Sequence, residues 1–302
     1  MSAPGEAGGP VPRCVVVGGS LVGMSAALAL PHPADLVIAA DGARSENRAC
    51  LLPDDPGARY AGVLLWRALV DEQALPPEAV LPASDEPSRE LYAGPYRLVI
   101  YLVPGPAGQT AVGQRRLNLV WYDPEQGDLL RGLGLLAGET VHASLAPARV
   151  PGPVRDRLAA FAAANWPSPW REALALALAD GTVYGTPIVH YKPSQLARGR
   201  AALAGDAAHA ASPMVGGGFR EGLQDVAALA ELMAGPAAAA AIPQALARYG
   251  GQRLGPSARH VAASEQATDR YLARASQIGR LWTHQSFPSA SWTRYSGSHR
   301  WR

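Results

Sequence analysis

Short runs that are apolar at every position punctuate this chain. Cys14-Val15-Val16-Val17 is the first, and it ends at Gly18-Gly19. A run without polar alternation, closed by glycines, predicts a parallel strand buried on both faces. Residues 21–30 continue at helical spacing until Pro31 and Pro33 stop them. A second run, Leu36-Val37-Ile38-Ala39-Ala40, then ends at Asp41-Gly42. Strand, glycine turn, helix and strand within about thirty residues make a minimal βαβ unit.

From residue 60 to about 150 the pattern shortens. Runs at 63–66, 96–102 and 117–122 are separated by Pro/Gly clusters such as Pro104-Gly105-Pro106, which predicts mostly antiparallel sheet. Helical spacing returns at 153–165 and 169–178. Ala201-Ala202-Leu203-Ala204 is a further small strand running into Gly205-Asp206. Residues 221–233 and 243–280 read as helix, with few breaks in the second.

Composition narrows the class without naming a chemistry. Apolar residues are 48% and charged residues 17%, as expected of a globular protein with a substantial core. The net charge of +2 gives no strong pull toward nucleic acid or an acidic membrane surface. Lys192 is the only lysine, so the basic side chains are otherwise arginine. Cys14 and Cys50 are too few for a disulfide framework, and a reducing cytoplasm is the expected compartment. Residues 1–12 carry no apolar targeting core and read as a disordered leader. The stretch 15–30 is broken by glycine and serine and is too short to span a bilayer. Residues 283–302 mix aromatic and basic groups and read as a poorly ordered tail.

Three motifs carry the chemistry. Gly18-Gly19-Ser20-Leu21-Val22-Gly23 follows a strand and opens a helix. There, glycines let the backbone approach a pyrophosphate held by free N–H groups and the helix dipole. Alone, this pattern also suits a glycine-rich turn with no ligand. The second motif, Asp41-Gly42-Ala43-Arg44-Ser45-Glu46-Asn47-Arg48, has the form DGxxSxxR after a strand. The third is Gly205-Asp206-Ala207-Ala208-His209, followed by Pro213 and by Gly216-Gly217-Gly218-Phe219-Arg220.

In this order the motifs resemble those of the FAD-dependent aromatic monooxygenases, the single-component flavoprotein hydroxylases. Arg59-Tyr60-Ala61-Gly62, Trp66-Arg67-Ala68-Leu69-Val70, Val103-Pro104-Gly105-Pro106 and residues 115–122 are similar to the 2,6-dihydroxypyridine 3-monooxygenase subgroup. The resemblance runs from Val15 to about Ala263. It implies an α/β (α+β overall) fold: a truncated Rossmann-like FAD-binding parallel sheet, an inserted, mostly antiparallel substrate-domain sheet, and a helical C-terminus. The corresponding domains are 13–58 with 198–242 for FAD, 59–197 for substrate, and 243–282 for the C-terminal helices.

The resemblance also implies roles. Gly18, Gly19, Ser20 and Gly23 would hold the FAD pyrophosphate, and Asp206, after Gly205, the ribityl hydroxyls. Pro213 would line the flavin ring. Gly216, Gly217, Gly218, Phe219 and Arg220 would bring backbone N–H groups to the ring edge that turns anionic on reduction. Arg220 stands where most relatives have asparagine, either as an added cation or in a salt bridge with a neighbour. Asp41, Gly42 and Arg48 belong to a motif linked to FAD and to the approach of NADH or NADPH; Arg48 as a plain surface residue is the other reading. His209, His190 and Tyr191 are the candidates for a catalytic side chain, though His209, just past Asp206, also suits a packed support. The implied activity is NAD(P)H-dependent hydroxylation of an aromatic or N-heteroaromatic substrate through a flavin C4a-hydroperoxide, with no metal. The implied partner is a small aromatic molecule, not nucleic acid or membrane, and a homodimer is compatible.

One departure stands out. Only eighteen positions separate Gly23 from Asp41, and no second strand ending in an acid for the adenosine ribose lies between them. The departure predicts weak FAD binding, with a truncated, non-catalytic binding protein or pseudoenzyme as the alternative. It also constrains topology, because residues 36–40 must reach a place beside 201–204 through the short link 31–34. Asp225, in the helix after the glycines, is expected to matter less to flavin than Asp206.

Overall fold

A computed structural model describes residues 14–18, 35–81, 88–124, 126–233 and 241–281. The expectations for the leader, the helix at 21–30, the link at 31–34 and the tail lie outside these residues, as do Gly19, Ser20 and Gly23. The chain divides into two compact units. The first comprises Met1–Ala61, Gly138–Val141 and Val189–Asp269, and the second Gly62–Ala137, His142–Ile188 and Arg270–Arg302.

In the first unit the short apolar runs form one sheet. Strand β1 (Cys14–Val17) pairs in parallel with β2 (Leu36–Ala39), Cys14 opposite Leu36. Strand β2 pairs in parallel on its other side with β11 (Ala201–Leu203), and β10 (Ala197–Arg198) closes that edge as a hairpin. Residues 36–39 thus lie beside 201–203, the place expected of them. Leu36, Ala39, Ala202 and Leu203 are buried against Leu229 of a helix at Gly218–Met233 (α6) and Leu246 and Tyr249 of a helix at Ile242–Leu281 (α7). Side chains from both helices therefore cover the small residues of β11, where alanines leave room for close approach. Tyr249 is fully buried and donates its hydroxyl to the Leu203 carbonyl at 2.7 Å, so the helix is tied to the strand by a polar bond inside an apolar contact.

The middle of the chain forms a seven-stranded sheet. Its order is β4 (Ser88–Ala93), β5 (Tyr96–Val103), β6 (Arg116–Pro124), β3 (Arg59–Asp71), β8 (Thr140–Val141) and β7 (Leu136–Ala137), with β9 (Tyr184–His190) pairing β3. The β4–β5, β5–β6, β6–β3 and β3–β8 pairings are antiparallel. Paired residues share a face. Trp66 with Trp121, Ala68 with Leu119, and Leu98 with Trp121 define the apolar face. Trp121 meets Phe161 and Trp166 at ring distances of 5.3 and 5.7 Å, so the helix at Gly152–Asn165 (α3) and the turn after it cover this side. The indole of Trp66 donates to Asp123 at 2.8 Å, which satisfies both groups at the end of the apolar layer.

Four α-helices remain among the described residues. Glu46–Leu51 (α1) follows the DG motif, and Gly127–Gly132 (α2) follows β6. Trp170–Ala179 (α4) and Asp206–His209 (α5) complete the set named here. The expected helices at 153–165 and 169–178 are found within one residue of those limits at each end, and the two C-terminal helices are found at 218–233 and 242–281. No helix of the described residues is long and apolar enough to cross a membrane.

Replacing Tyr249 by Phe removes the bond to Leu203 while keeping the ring. The variant should unfold at lower urea, with a loss of about 1 kcal/mol. An unchanged midpoint would show that the Leu203 carbonyl needs no partner from α7.

Candidate functional site

The GD turn is held from beneath by a carboxylate. Strand β11 ends at Leu203, and Gly205 then adopts φ +60° and ψ −143°, a conformation that only glycine takes readily. Its backbone N–H donates to Asp225 Oδ2 at 2.9 Å. Asp225 lies on α6, is wholly buried, and also receives His209 at 2.7 Å and the Arg253 Nε–H at 2.8 Å. An ionised carboxylate can only accept, so the proton on His209 sits on Nε2. Nδ1 of His209 is buried with no hydrogen-bond partner among the described residues. His209 supports the turn through Nε2.

Arg253, on α7, extends the network. It donates to Glu221 Oε2 at 2.9 Å, to the Glu221 carbonyl at 3.2 Å and to Gln224 at 2.9 Å. Burial raises the pKa of Asp225 and of Glu221, but the hydrogen bonds from His209 and Arg253 at Asp225, and from Arg253 at Glu221, outweigh it. Both carboxyls lie below their usual range. A third tie from α7 is Ser264, whose Oγ accepts the Ser212 N–H at 2.6 Å, directly before Pro213. Arg253, Tyr249 and Ser264 escaped the reading of the sequence, because none stands in a recognisable motif of its own, and Asp225 was named there without its part in holding the turn.

Asp206 is placed differently from Asp225. It is exposed, and its carboxylate makes no hydrogen bond or ion pair among the described residues. A Cβ built on Gly218, the first residue of α6, would lie 3.9 Å from Asp206 Oδ1. The free carboxylate thus stands at the N-terminus of a sixteen-residue helix. Just before that terminus, Gly216 and Gly217 take φ of +64° and +84°. Phe219 is 83% exposed, and Arg220 pairs with Glu221 at 3.3 Å, the salt bridge with a neighbour. Pro213 opens a short 3-10 turn whose N-cap is Ser212.

The DG motif closes on itself. Asp41 accepts the Ser45 hydroxyl at 2.6 Å and the Asn47 N–H at 3.3 Å, and Ser45 caps α1 by accepting the Arg48 N–H at 2.9 Å. Arg48 is only 4% exposed, so the surface reading of it is wrong. Its guanidinium donates to the carbonyls of Ala207 at 2.9 Å, Asp206 at 3.2 Å and Ala43 at 3.2 Å, and lies 3.7 Å from the Tyr191 ring centroid. It is a strut between the DG and GD turns. Tyr191 in turn donates to Asp55 at 3.0 Å, and burial with the Asp55 charge pushes its phenol well up, so it stays a neutral donor. His190 is buried, its pKa lowered by burial, with Nε2 at 3.2 Å from Ser264 Oγ. Gly18 packs so tightly that a Cβ would come 3.0 Å from the Ala40 carbonyl oxygen. The structure thus joins Gly18, Asp41, Gly42 and Arg48 to Gly205 and Asp206 through neighbouring turns of one sheet edge.

Residues 60–178 match a family described as FAD binding domain-like, and residues 178–264 match the FAD binding domain family. The 3-amino-4-hydroxybenzoate 2-monooxygenase of Streptomyces cremeus is 32% identical over 202 residues, 65% of this chain and 40% of that protein. Klebsiella pneumoniae HpxO, solved with FAD and uric acid, superposes with a TM-score of 0.54 at 26% identity, over 82% of this chain and 54% of that one. The 2,6-dihydroxypyridine-3-hydroxylase of Arthrobacter nicotinovorans gives 0.58 at 18% identity, over 78% and 57%, a likeness of fold alone. This chain spans about half the length of the curated relatives it matches, 40% to 54% of each. A parallel sheet with a GD turn, its strands separated in sequence by a large antiparallel sheet, defines a flavoprotein hydroxylase fold. In sequence and fold the chain is similar to the FAD-dependent aromatic monooxygenases.

Removing Asp225 leaves the Nε–H of Arg253, the imidazole N–H of His209 and the backbone N–H of Gly205 buried without their acceptor. Asp225→Ala should cost about 3–5 kcal/mol in urea unfolding. Asp206→Ala, at an exposed position, should stay within about 0.5 kcal/mol of the parent. Equal losses would show that the turn is not held through Asp225.

Acid should reveal the same network. Asp225 and Glu221 bind protons less readily in the folded chain than in the unfolded one. Their contribution is therefore complete above the ordinary carboxylate range, near pH 4, and is lost as the pH falls through their lower folded values. Thermal melts from pH 7 to pH 3 should drop steeply at the acid end. The drop should be shallower in Asp225→Asn, measured relative to that variant's own value at pH 7.

Proposed function

We propose that the protein binds FAD and uses NADH or NADPH to hydroxylate a small aromatic or N-heteroaromatic substrate. The observation that carries this reading is Asp206, an unpaired carboxylate on a rigid turn at the N-terminus of α6. An exposed acid whose backbone is locked on both sides by Arg48 and Asp225 is suited to accept hydroxyl protons from a polyol chain. Gly205 and Gly216 leave open space where a Cβ would stand, so backbone can approach a ligand there. The residues therefore fit the cofactor. Gly18, Gly19, Ser20 and Gly23 would hold its pyrophosphate, Asp206 its ribityl hydroxyls, and Pro213 with residues 216–220 its ring.

When bound, FAD supplies the redox chemistry, taking reducing equivalents from the nicotinamide and passing an oxygen atom of O2 to the ring of the substrate. The part of this chain is to bind and orient. The N-terminal N–H groups and dipole of α6 favour negative charge beside them. Arg220, already paired with Glu221, adds little net charge there. Relatives named for 3-amino-4-hydroxybenzoate and for urate support an electron-rich ring as substrate, and the sequence likeness to the 2,6-dihydroxypyridine subgroup points the same way. Cys50 is free and exposed, in keeping with a reducing cytoplasm as the working compartment.

With no acidic strand for the adenosine ribose, the cofactor should be held weakly. Flavin should be lost on purification and regained from added FAD, with quenched flavin fluorescence. Asp206→Ala should weaken that affinity by about tenfold or more, as expected for hydrogen bonds to a charged group. NAD(P)H oxidation with added FAD should then be accelerated by phenols or hydroxypyridines. No quenching at millimolar FAD would overturn the reading and leave a flavin-free member of the family.

A further inference from the structure

The second face of the seven-stranded sheet carries an unpaired cation. Register places Arg67 opposite Val120 and Leu69 opposite Asn118, with Asn118 opposite Tyr101, all on the face turned away from Trp66 and Trp121. One end of this face is covered within the same unit by the last turns of α7, where Tyr271 donates to the carbonyls of Pro95 and Tyr122 at 3.0 and 3.1 Å. Toward the other end Leu69 is 44% exposed, and Arg67, Asn118 and Tyr101 are half-buried.

Two of the arginines on this face differ. Arg97 is ion-paired with Glu90 and lies 4.7 Å over the Tyr122 ring. Arg67 pairs with no carboxylate among the described residues. Its Nε is buried without an acceptor, and its guanidinium stands 6.0 Å from the Tyr184 ring. A partly desolvated guanidinium without a counter-ion is costly and is stabilised by an anion brought to it. Its planar fork fits a carboxylate with two parallel hydrogen bonds, better than it fits a neutral hydroxyl. A neighbouring ring favours a flat partner.

From this we infer that Arg67 is the specificity-determining residue of the substrate surface and that the substrate is an aromatic carboxylate, held through its acid group. The inference rests on the hydroxylase reading for the word substrate, but Arg67 can be tested without turnover. The full chain with added FAD is titrated calorimetrically with 4-hydroxybenzoate and with phenol. The wild type should bind 4-hydroxybenzoate about tenfold or more tightly than phenol, the ratio expected of a charge-assisted pair. Arg67→Gln should abolish that preference while leaving phenol and FAD affinity unchanged, and Arg67→Lys should restore part of it. Equal binding of the two ligands by the wild type, binding of neither, or a preference that survives in Arg67→Gln overturns the assignment. The wild-type comparison decides the matter even if the glutamine variant does not fold. Failure to take up FAD, read separately by flavin fluorescence, counts against the hydroxylase reading and not against Arg67, whose titration can be repeated without flavin.

Discussion

The first unit is organised around a single buried carboxylate. Asp225 gathers a backbone N–H from the GD turn, an imidazole from α5 and a guanidinium from α7, while itself sitting on α6. Four segments meet at two oxygen atoms. A charge so deeply placed is tolerable only when its donors are fully supplied, and here each donor comes from a different element. The conformation of Gly205, and so the position of Asp206, follows from that meeting point.

Arg48 plays the complementary part on the other side of the same turn. Asp225 fixes the turn through its N–H, and Arg48 fixes it through the carbonyls of Asp206 and Ala207. Donor and acceptor sides of one turn are thus anchored independently, one to the helices and one to the DG loop. The outcome is division of labour between two acids. Asp225 is buried and spent entirely on structure, and Asp206 is exposed and left free.

Much of this was legible in the sequence, for physical reasons that also mark where legibility stops. The parallel strands showed themselves because a short strand buried on both faces must be apolar throughout, and the later helices because their spacing persisted over many turns. The six-residue helix at Glu46–Leu51 did not, since one and a half turns leave no period to detect. Ser45 and Arg48 of the DG motif were singled out, but their use as cap and strut depends on residues far along the chain. The ranking of Asp206 above Asp225 considered proximity to ligand and omitted the anchoring of the turn. Arg253 and Asp225 are separated by twenty-eight positions with no pattern between them, so their pairing emerges only from the fold. Arg67 lay in a quoted segment, yet its lack of a partner is a property of the sheet face and not of the string of residues.

The long C-terminal helix bears a further consequence. Beyond Ile242, Leu246 and Tyr249 at its start, its buried residues in the first unit are Arg253, Ser257, Val261, Ser264 and Thr268, a stretch poor in large apolar side chains, with Pro256 inside the helix. Small residues alone would let such a helix slide along its own axis. Arg253 and Ser264 stand eleven positions apart, about three turns, and each meets a partner of fixed identity. Slipping by one turn would set His260 or Thr268 against the Ser212 N–H and put Tyr249 or Ser257 in place of Arg253 at Asp225. The two polar contacts therefore act together as an axial gauge: only one alignment of forty residues satisfies both.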